Sequence, residues 1–415
     1  MRILNYLYLI LILFSCIGKG NISIEEDIET NEIFTIIRIS DALLNPQKEM
    51  LLSELVDSIN YIPIETKKEC LLRNYPFYVF TPRNIFYLNY CFDWSGRFLF
   101  KAGTLGQGPG EEPSEIAGDL VFCGDNYYTK GQKLIEYDSL GSFTGKELPL
   151  YHIDRSKGVV NGNLVYVEAF CSLGENLFLY NYPDTLFVMN KDFEFVSKHF
   201  VMSWQAGKMP YFTSTFGPYD RSMTYYKKDL LFYNYFRDTV FQVNTQQFHP
   251  KWVIDLEDLK ISDEVLYQFN ELLRIGEKDY HNGQLDNTPL VKLIDHKYLI
   301  HSVNESDKYV FILAEEVFAF RQLRHLPDPP LILVCYNKKT KEIKSTTKIK
   351  DDLTEFPKFF PLFGLVDEKM VDVFWPYEHE EWLTKKASTI SSLTSFTGRD
   401  FSEDNPIVIV AHLKK

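Results

Sequence analysis

The sequence predicts an all-β fold, a six-bladed β-propeller with one helical insertion at about residues 261–275. The first observation behind this prediction is a hairpin pattern that occurs five times. The second is a pair of short apolar strands ahead of most of these hairpins. The third is an aromatic content of 15%, because aromatic side chains pack well on pleated sheets. A twisted β-sandwich array is the alternative architecture.

Each recurring hairpin consists of an apolar strand, a turn that contains Asp or Asn, and a second alternating strand. Asp and Asn favour such turns because their side chains hydrogen-bond the nearby backbone and tolerate left-handed conformations. Successive turns are separated by 45, 52, 54 and 93 residues, and the first three steps match the length of a four-stranded blade. The five turn residues are Asp93, Asp138, Asn190, Asn244 and Asn337. A C-terminal blade brings the predicted number to six.

The double-length step contains the helical insertion. Ser262 is a suitable N-cap, acidic residues follow it, and apolar residues recur at helical spacing. These apolar residues are Val265, Leu266, Phe269, Leu272 and Leu273. One amphipathic helix is therefore expected here.

Ring closure is expected from strands at both ends of the chain, because each would supply hydrogen bonds to an otherwise open sheet edge. Residues 407–413 form a strong C-terminal strand, and residues 33–40 form an N-terminal one. We predict that these two strands share the last blade.

The N-terminus predicts export. Arg2 precedes a short apolar stretch, too short to span a bilayer comfortably, and Leu13-Phe14-Ser15-Cys16 is similar to a bacterial lipobox. In a lipobox the signal is cut before the cysteine, whose thiol is acylated. We therefore expect a signal peptide at 1–15, lipidation of Cys16, a tether at 16–32 and the propeller at 33–415. An ordinary signal peptide with an incidental cysteine is the alternative.

Charge and cysteine content argue against nucleic-acid binding, a disulfide framework and a zinc site. The formal net charge is −13, or −14 after loss of the signal with Arg2, and no basic patch is visible, so nucleic-acid binding is not expected. Five other cysteines are widely spaced without a CxxC pair, which predicts buried thiols rather than a disulfide framework or a zinc site. They are Cys70, Cys91, Cys123, Cys171 and Cys335.

The glycine-rich stretch GTLGQGPGEE, residues 103–112, raises the possibility of a phosphate loop. A P-loop needs GxxxxGK[ST], but here glutamates follow Gly110, and both flanking elements are predicted strands. We interpret the stretch as the crossover from the first blade to the second. Gln107 and Glu111 are the two residues in it that could contact a ligand at the channel mouth.

Other candidate motifs have structural interpretations that we favour. In the two DT[LV]F segments, Asp184 and Asp238 are expected to cap turns, and Phe187 and Phe241 to pack between blades. The segment YEHEEW, residues 377–382, is expected to be a charged turn. His296 and His301 lack zinc-site spacing with a third ligand, so no metal site, cofactor or catalytic residue is assigned.

The aromatic segment YFTSTFGPYDRSMTYY, residues 211–226, has a ligand-binding alternative to inter-blade packing. Aromatic faces stack on apolar sugar faces, and charged groups bind hydroxyls. Asp220 and Arg221 are therefore further candidate ligand-binding residues.

Across nearly the whole mature chain, the sequence resembles the six-bladed β-propeller lipoproteins of Bacteroidetes, of the NHL/TolB-like kind. One departure is the very short connection between NIFYLNY and CFDWSG in the first blade. The matching segments are LLSELVDSINYIPIET (51–66), which resembles the opening of that family's first blade, GQGPGE (106–111), DTLF (184–187), DTVFQVN (238–244) and EDNPIVIV (403–410). The resemblance implies the fold and an envelope location, and no activity.

The expected function is a lipid-anchored binding or protein-interaction scaffold whose partner is a glycan, a peptide or an envelope protein. Membrane contact is expected only through the lipid anchor. Residues 17–20 lack the acids of a surface-export signal, so we expect a periplasm-facing lipoprotein of the outer membrane. A hydrolase or lyase with paired carboxylates at the channel mouth is the alternative, as is a pure assembly scaffold with an apolar patch.

Overall fold

The computed structural model describes residues 34–74, 78–112, 120–131, 133–149, 167–181, 185–200, 223–233, 237–275, 292–317, 330–398 and 400–415. Residues 34–415 form one compact unit, a six-bladed β-propeller. The predicted signal peptide, Cys16 and tether lie outside the described residues. No helix in the described ranges combines the length and apolar character that a membrane crossing requires.

The first elements of the propeller wrap its perimeter. Strand β1 (Thr35–Arg38) is followed by helix α1 (Ser40–Leu44), strand β2 (Met50–Leu51) and strand β3 (Val56–Pro63). We call residues 35–54 the N-terminal belt, because they pass along the outer edges of blades four and five before β3 enters blade six.

Blades one to three are consecutive antiparallel sheets of four strands. In blade one the two-residue turn of Leu88 and Asn89 connects the second and third strands, and the sheet is complete. Blade one consists of β4 (Tyr78–Phe80), β5 (Asn84–Tyr87), β6 (Tyr90–Asp93) and β7 (Phe98–Lys101). Blade two consists of β10 (Leu120–Cys123), β11 (Asn126–Lys130), β12 (Lys133–Tyr137) and β13 (Phe143–Pro149). Blade three consists of β14 (Val167–Leu173), β15 (Asn176–Asn181), β16 (Thr185–Asn190) and β17 (Phe195–Phe200). Between blades one and two, β8 (Thr104–Leu105) pairs with β9 (Glu111–Glu112).

Blades four to six follow the same plan, with additions. The predicted helix forms as α2 (Asp263–Ile275) between blades four and five, and Ser262 Oγ accepts a hydrogen bond from the Val265 amide. Blade four consists of β18 (Met223–Tyr226), β19 (Asp229–Tyr233), β20 (Thr239–Val243) and β21 (Phe248–Asp255). Blade five consists of β22 (Tyr298–Glu305), β23 (Tyr309–Glu316), β24 (Ile332–Asn337) and β25 (Ile343–Thr346), and β26 (Ile349–Lys350) pairs with β2. Blade six consists of β27 (Leu365–Val366), β28 (Lys369–Phe374), β29 (Ile407–Leu413) and the N-terminal strand β3.

The ring closes through the two ends of the chain, but the predicted N-terminal partner is wrong. Strand β29 pairs with β3, from Ile407 opposite Pro63 to Leu413 opposite Val56. Residues 33–40 contribute β1, which pairs in parallel with β21 of blade four. The physical reason is length, since β29 needs a partner along seven residues and β1 offers only four. The segment 51–66 thus closes the last blade rather than opening the first.

The five predicted Asx turns are confirmed, each at the turn between the third and fourth strands of its blade. In each, the side-chain oxygen accepts amide hydrogen bonds from residues two and three or four positions later, at 2.7–3.1 Å. This local chemistry is repeated because every blade requires the same tight reversal.

The core consists of buried side chains between neighbouring blades, all round the ring. Phe187, for example, packs between blades two and three, as predicted, and Thr185 and Thr239 begin strands β16 and β20. The five predicted cysteines are free and buried. First strands of successive blades contact each other, as β14 does with β18 and β18 with β22, so these strands surround the central axis.

Candidate binding surfaces

Alternating strand directions give the propeller two different faces. The first-to-second and third-to-fourth strand turns lie on one face, which we call the turn face. The second-to-third connections and the passages between blades lie on the opposite face, which we call the loop face. The loop face carries the longer segments, including helix α2 and the glycine-rich crossover.

The glycine-rich crossover is confirmed as the passage from β7 to β10 on the loop face. Glu111 folds back into this loop, where its Oε2 accepts a hydrogen bond from the Gly108 amide at 2.8 Å. A Cβ at Gly106 would lie 2.0 Å from the same oxygen, so a side chain there would displace the Glu111 carboxylate. Gln107 is exposed. Glu111 thus braces the loop, and ligand contact by either residue stays a prediction.

A second carboxylate clamps the crossover to blade two. Glu147 accepts hydrogen bonds from the Gly110 amide at 2.9 Å and from Lys133 Nζ at 3.0 Å. These bonds lower the pKa of Glu147, the Gly110 amide most strongly. Gly110 has φ +70, and a Cβ there would lie 2.4 Å from the Phe143 ring, so glycine is required. Asp184, Asp220 and Arg221 lie outside the described residues, and their roles stay predictions.

Histidine and carboxylate side chains gather on the loop face of blade five. His301 Nε2 lies 3.2 Å from Glu315 Oε1, and both side chains are largely buried. At the start of β22, His296 Nδ1 lies 3.3 Å from Glu316 Oε1, and Nε2 lies 3.8 Å from Asp295 Oδ2. The sequence spacing did not indicate this group, because Glu316 arrives from the neighbouring strand.

The ligand atoms of Asp295, His296 and Glu316 lie within 4.8 Å of one another, a spacing compatible with a metal ion. The two carboxylates face opposite ring nitrogens, however, and an imidazole ligates a single ion through one nitrogen. The arrangement therefore suits an imidazole held between two acceptors. It offers donors and acceptors of the kind that bind sugar hydroxyls or peptide groups.

The segment YEHEEW begins in a short 3-10 turn, Pro376–His379, and its acidic residues are exposed as expected, but it does not end as a turn. It enters helix α3 (Glu380–Lys386), where Trp382 is buried and its Nε1 donates to the Thr354 carbonyl at 3.3 Å. The His379 ring packs on Phe356 at 4.8 Å between centroids, and burial lowers the pKa of His379. The buried tryptophan fixes the helix on blade six.

On the turn face, Tyr226 lies among three lysines. The Nζ atoms of Lys338, Lys251 and Lys227 lie 4.6, 4.8 and 5.1 Å from the centre of its ring. Lys251 and Lys338 also flank the buried carboxylate of Glu305, at 2.8 and 2.9 Å. This network joins the outer part of blade four to the inner strand of blade five.

Further lysines extend the positive surface. The Lys338 amide donates to the Lys308 carbonyl at 2.9 Å, so two turns of blade five are adjacent. The lysine patch comprises Lys227, Lys228, Lys251, Lys308, Lys338, Lys339 and Lys341. In the sequence only the short stretch 338–344 is rich in lysine, because the other lysines of the patch come from two further turns and one strand, and the whole set spans residues 227–341.

Two carboxylates meet at the inner edge of this face. The Asp307 amide donates to Glu368 Oε1 at 2.9 Å. A hydrogen bond from Lys227 lowers the pKa of Asp307, whereas burial raises the pKa of Glu368. Opposite shifts are typical of acid–base pairs and also of ion-pair networks. The hydrolase hypothesis has its closest match here and stays untested.

A small cavity lies between blades five and six. Its volume is about 10 Å3, and its polar lining groups are Ser302 and Asn304. That volume suits one water molecule rather than a sugar or peptide.

One family matches almost the entire propeller: "Domain of unknown function (DUF4934)" aligns with residues 34–412. A comparison with curated proteins gives no match. Among solved structures, a Bacteroides fragilis protein described as a "Putative exported protein" has 17% sequence identity and a TM-score of 0.58. The match covers 92% of this chain and 100% of that chain. BamB from Moraxella catarrhalis has 12% identity and a TM-score of 0.30, covering 56% and 54%. The first similarity agrees with the fold described above.

Proposed function

Since the chain belongs to the DUF4934 family, whose description assigns no activity, we propose that it is a lipid-anchored envelope propeller that binds its ligand on the loop face. The observation that carries this proposal is the difference between the two faces. Longer connections are free to vary in shape and chemistry around a rigid ring, and binding residues are commonly found on such segments.

The loop face of blade five offers the best described binding chemistry. Asp295 and His296 are exposed just before β22, and the ladder between β22 and β23 holds Glu316 opposite Tyr298. His301 and Glu315 lie deeper on the same hairpin. Groups of this kind orient sugar hydroxyls or peptide amides.

The envelope location is supported by two observations. The N-terminal segment is similar to a lipoprotein signal that ends at Cys16. The Bacteroides fragilis protein of similar fold is described as exported. Orientation toward the periplasm is part of the proposal, and protease accessibility of the intact protein on whole cells would contradict it.

A binding screen tests the proposed function. The mature chain would be probed against glycan and peptide arrays, and hits would be measured by calorimetry. We expect His296→Asn with Glu316→Gln to weaken a true ligand at least tenfold. Asn tolerates the left-handed backbone of His296, φ +57, so the fold should be kept.

The matched control is Lys228→Gln with Lys339→Gln on the turn face. This double variant should bind the ligand like the unmodified chain. Loss of binding in the control, or full binding in the loop-face variant, would contradict a site on the loop face of blade five.

A further inference from the structure

The lysine patch contrasts with the rest of the chain. Its seven lysines stand against four acids of the same turns and strand ends, Asp229, Glu305, Asp307 and Glu342, with Asp367 and Glu368 of the neighbouring turn at the border. The whole chain has a net charge of −13. Glu305 is buried beneath Lys251 and Lys338, whose side chains are only 19% exposed. Asp307 is exposed and pairs with Lys227, so the exposed positive charge comes chiefly from the remaining lysines, Lys228, Lys308, Lys339 and Lys341. A locally positive surface on an acidic protein favours a negatively charged partner.

The direction of β1 connects this surface to the N-terminus. Strand β1 runs parallel to β21, with Thr35 opposite Trp252 and Arg38 opposite Asp255. Strand β21 starts at the turn face, because it follows the Asn244 turn. The N-terminal end of β1 therefore points to the turn face, and Phe34 enters the fold at the level of Lys251.

The length of the preceding chain permits contact with a membrane. Cys16 stands 18 residues before Phe34, a reach of at most about 60 Å when extended. A surface charge acts over about 8 Å at physiological ionic strength, so a lipid anchor near the patch would greatly raise the frequency of close approach.

We propose that the lysine patch on the turn face of blades four and five rests on the anionic headgroups of the membrane that holds the N-terminal lipid. The proposal relies on the lipid anchor of the proposed function and adds a second, electrostatic contact. A basic patch close to a lipid anchor adds electrostatic attraction to anionic headgroups. In this orientation the loop face is directed away from the bilayer and stays open to its ligand.

Vesicle binding without the lipid tests the contact itself. Residues 16–415 with Cys16→Ser would be sedimented with phosphatidylcholine vesicles, with or without about one third phosphatidylglycerol. We expect binding only to the anionic vesicles, and its loss at high ionic strength. Equal binding to both vesicle types, or to neither, would overturn the proposal.

Charge reversals locate the contact. Lys228→Glu, Lys339→Glu and Lys341→Glu change exposed side chains and leave the Glu305 network in place. We expect this triple variant to bind anionic vesicles at least tenfold more weakly. The control, Lys48→Glu, Lys101→Glu and Lys350→Glu, makes the same charge change at exposed residues on the loop-face side and should bind normally. Equal losses in both would indicate an effect of net charge alone and overturn the proposal.

Two further results separate this inference from the proposed function. If the patch binds a soluble sulfated glycan but not anionic vesicles, the membrane contact is wrong. If the patch variant loses vesicle binding and keeps its loop-face ligand, both proposals stand. Circular dichroism of each variant would verify that the fold is unchanged.

Discussion

The ammonium group of Lys251 lies 2.8 Å from the carboxylate of Glu305, across the boundary between blades four and five. Glu305 also accepts hydrogen bonds from Lys338 Nζ at 2.9 Å and from Trp252 Nε1 at 3.1 Å. The carboxylate is 3% exposed, so three donors replace the water that burial removed.

Removal of this carboxylate should destabilise the propeller. Glu305→Ala leaves two lysine ammonium groups without their buried partner, and we expect a loss of about 3 kcal/mol in the free energy of unfolding. Urea denaturation would measure it. Glu54→Ala removes the half-exposed pair with Lys344 and should cost less than about 1 kcal/mol. Similar losses in both would show that the Glu305 network is no stronger than a surface pair.

The Asx turns should each contribute a measurable share of stability. In Asp138→Ala, the Leu140 and Ser142 amides lose the acceptor to which they donate at 2.9 Å. We expect a loss of about 1 kcal/mol by urea denaturation. Asp138→Asn retains an oxygen in the same place and should stay close to the unmodified chain. An equal loss in the asparagine variant would contradict the hydrogen-bond explanation.

Asp372 should make stability depend on pH. Burial raises its pKa to about 7, against hydrogen bonds from the Phe360 and Val373 amides. In the unfolded chain the pKa is about 3.9, so the folded state holds an extra proton between these values. The contribution of Asp372 to the free energy of unfolding therefore falls as the pH rises from about 4 to about 7, and it is constant above pH 7.

The Asp372→Asn variant should lose this part of the pH profile, measured by urea midpoints between pH 4 and 8. Asp352→Asn is the control, because the pKa of Asp352 is shifted in the opposite direction, downwards. Burial acts to raise the pKa of Asp352, but hydrogen bonds from Ser53 lower it, so its contribution is lost as pH falls through that lowered value. An unchanged profile in Asp372→Asn would contradict the assignment.

Ring closure can be tested by cross-linking. Ser58 of β3 lies opposite His412 of β29, and opposed residues in antiparallel strands have a Cα separation suited to a disulfide. Ser58→Cys with His412→Cys should therefore oxidise to a disulfide that peptide mapping detects. Ile36→Cys with His412→Cys, which tests the closure expected from residues 33–40, should stay reduced. A disulfide between positions 36 and 412, with none between 58 and 412, would show that residues 33–40 close the ring instead.

The blades could be predicted because their signals are local. Asp93, Asp138 and Asn337 each hydrogen-bond amides two to four residues away, so turn chemistry is visible in a short window. Helix α2 was visible for the same reason, through Ser262 and its apolar spacing. Helix α3 was missed, because seven residues with paired acids resemble a charged turn until Trp382 is seen to be buried.

The strand pairing that closes the ring and the candidate binding surfaces depend on residues that are far apart in the chain, so they could not be predicted from the sequence. Both 33–40 and 56–63 alternate like strands, and only the seven-residue match with β29 distinguishes them. The pairing of His296 with Glu316 requires the β22–β23 ladder. The lysine patch likewise exists only once blades four and five are adjacent.

The different roles of the two faces can be tested by labelling the acylated chain on anionic vesicles. Single variants Lys228→Cys and Lys48→Cys would carry a fluorophore on the turn face and on the loop-face side, and the five buried native cysteines should react little. Spin-labelled headgroups would quench a dye that lies near the membrane. We expect strong quenching at position 228 and little at position 48. Equal quenching, or stronger quenching at position 48, would contradict a propeller that rests on its turn face and presents its loop face to the ligand.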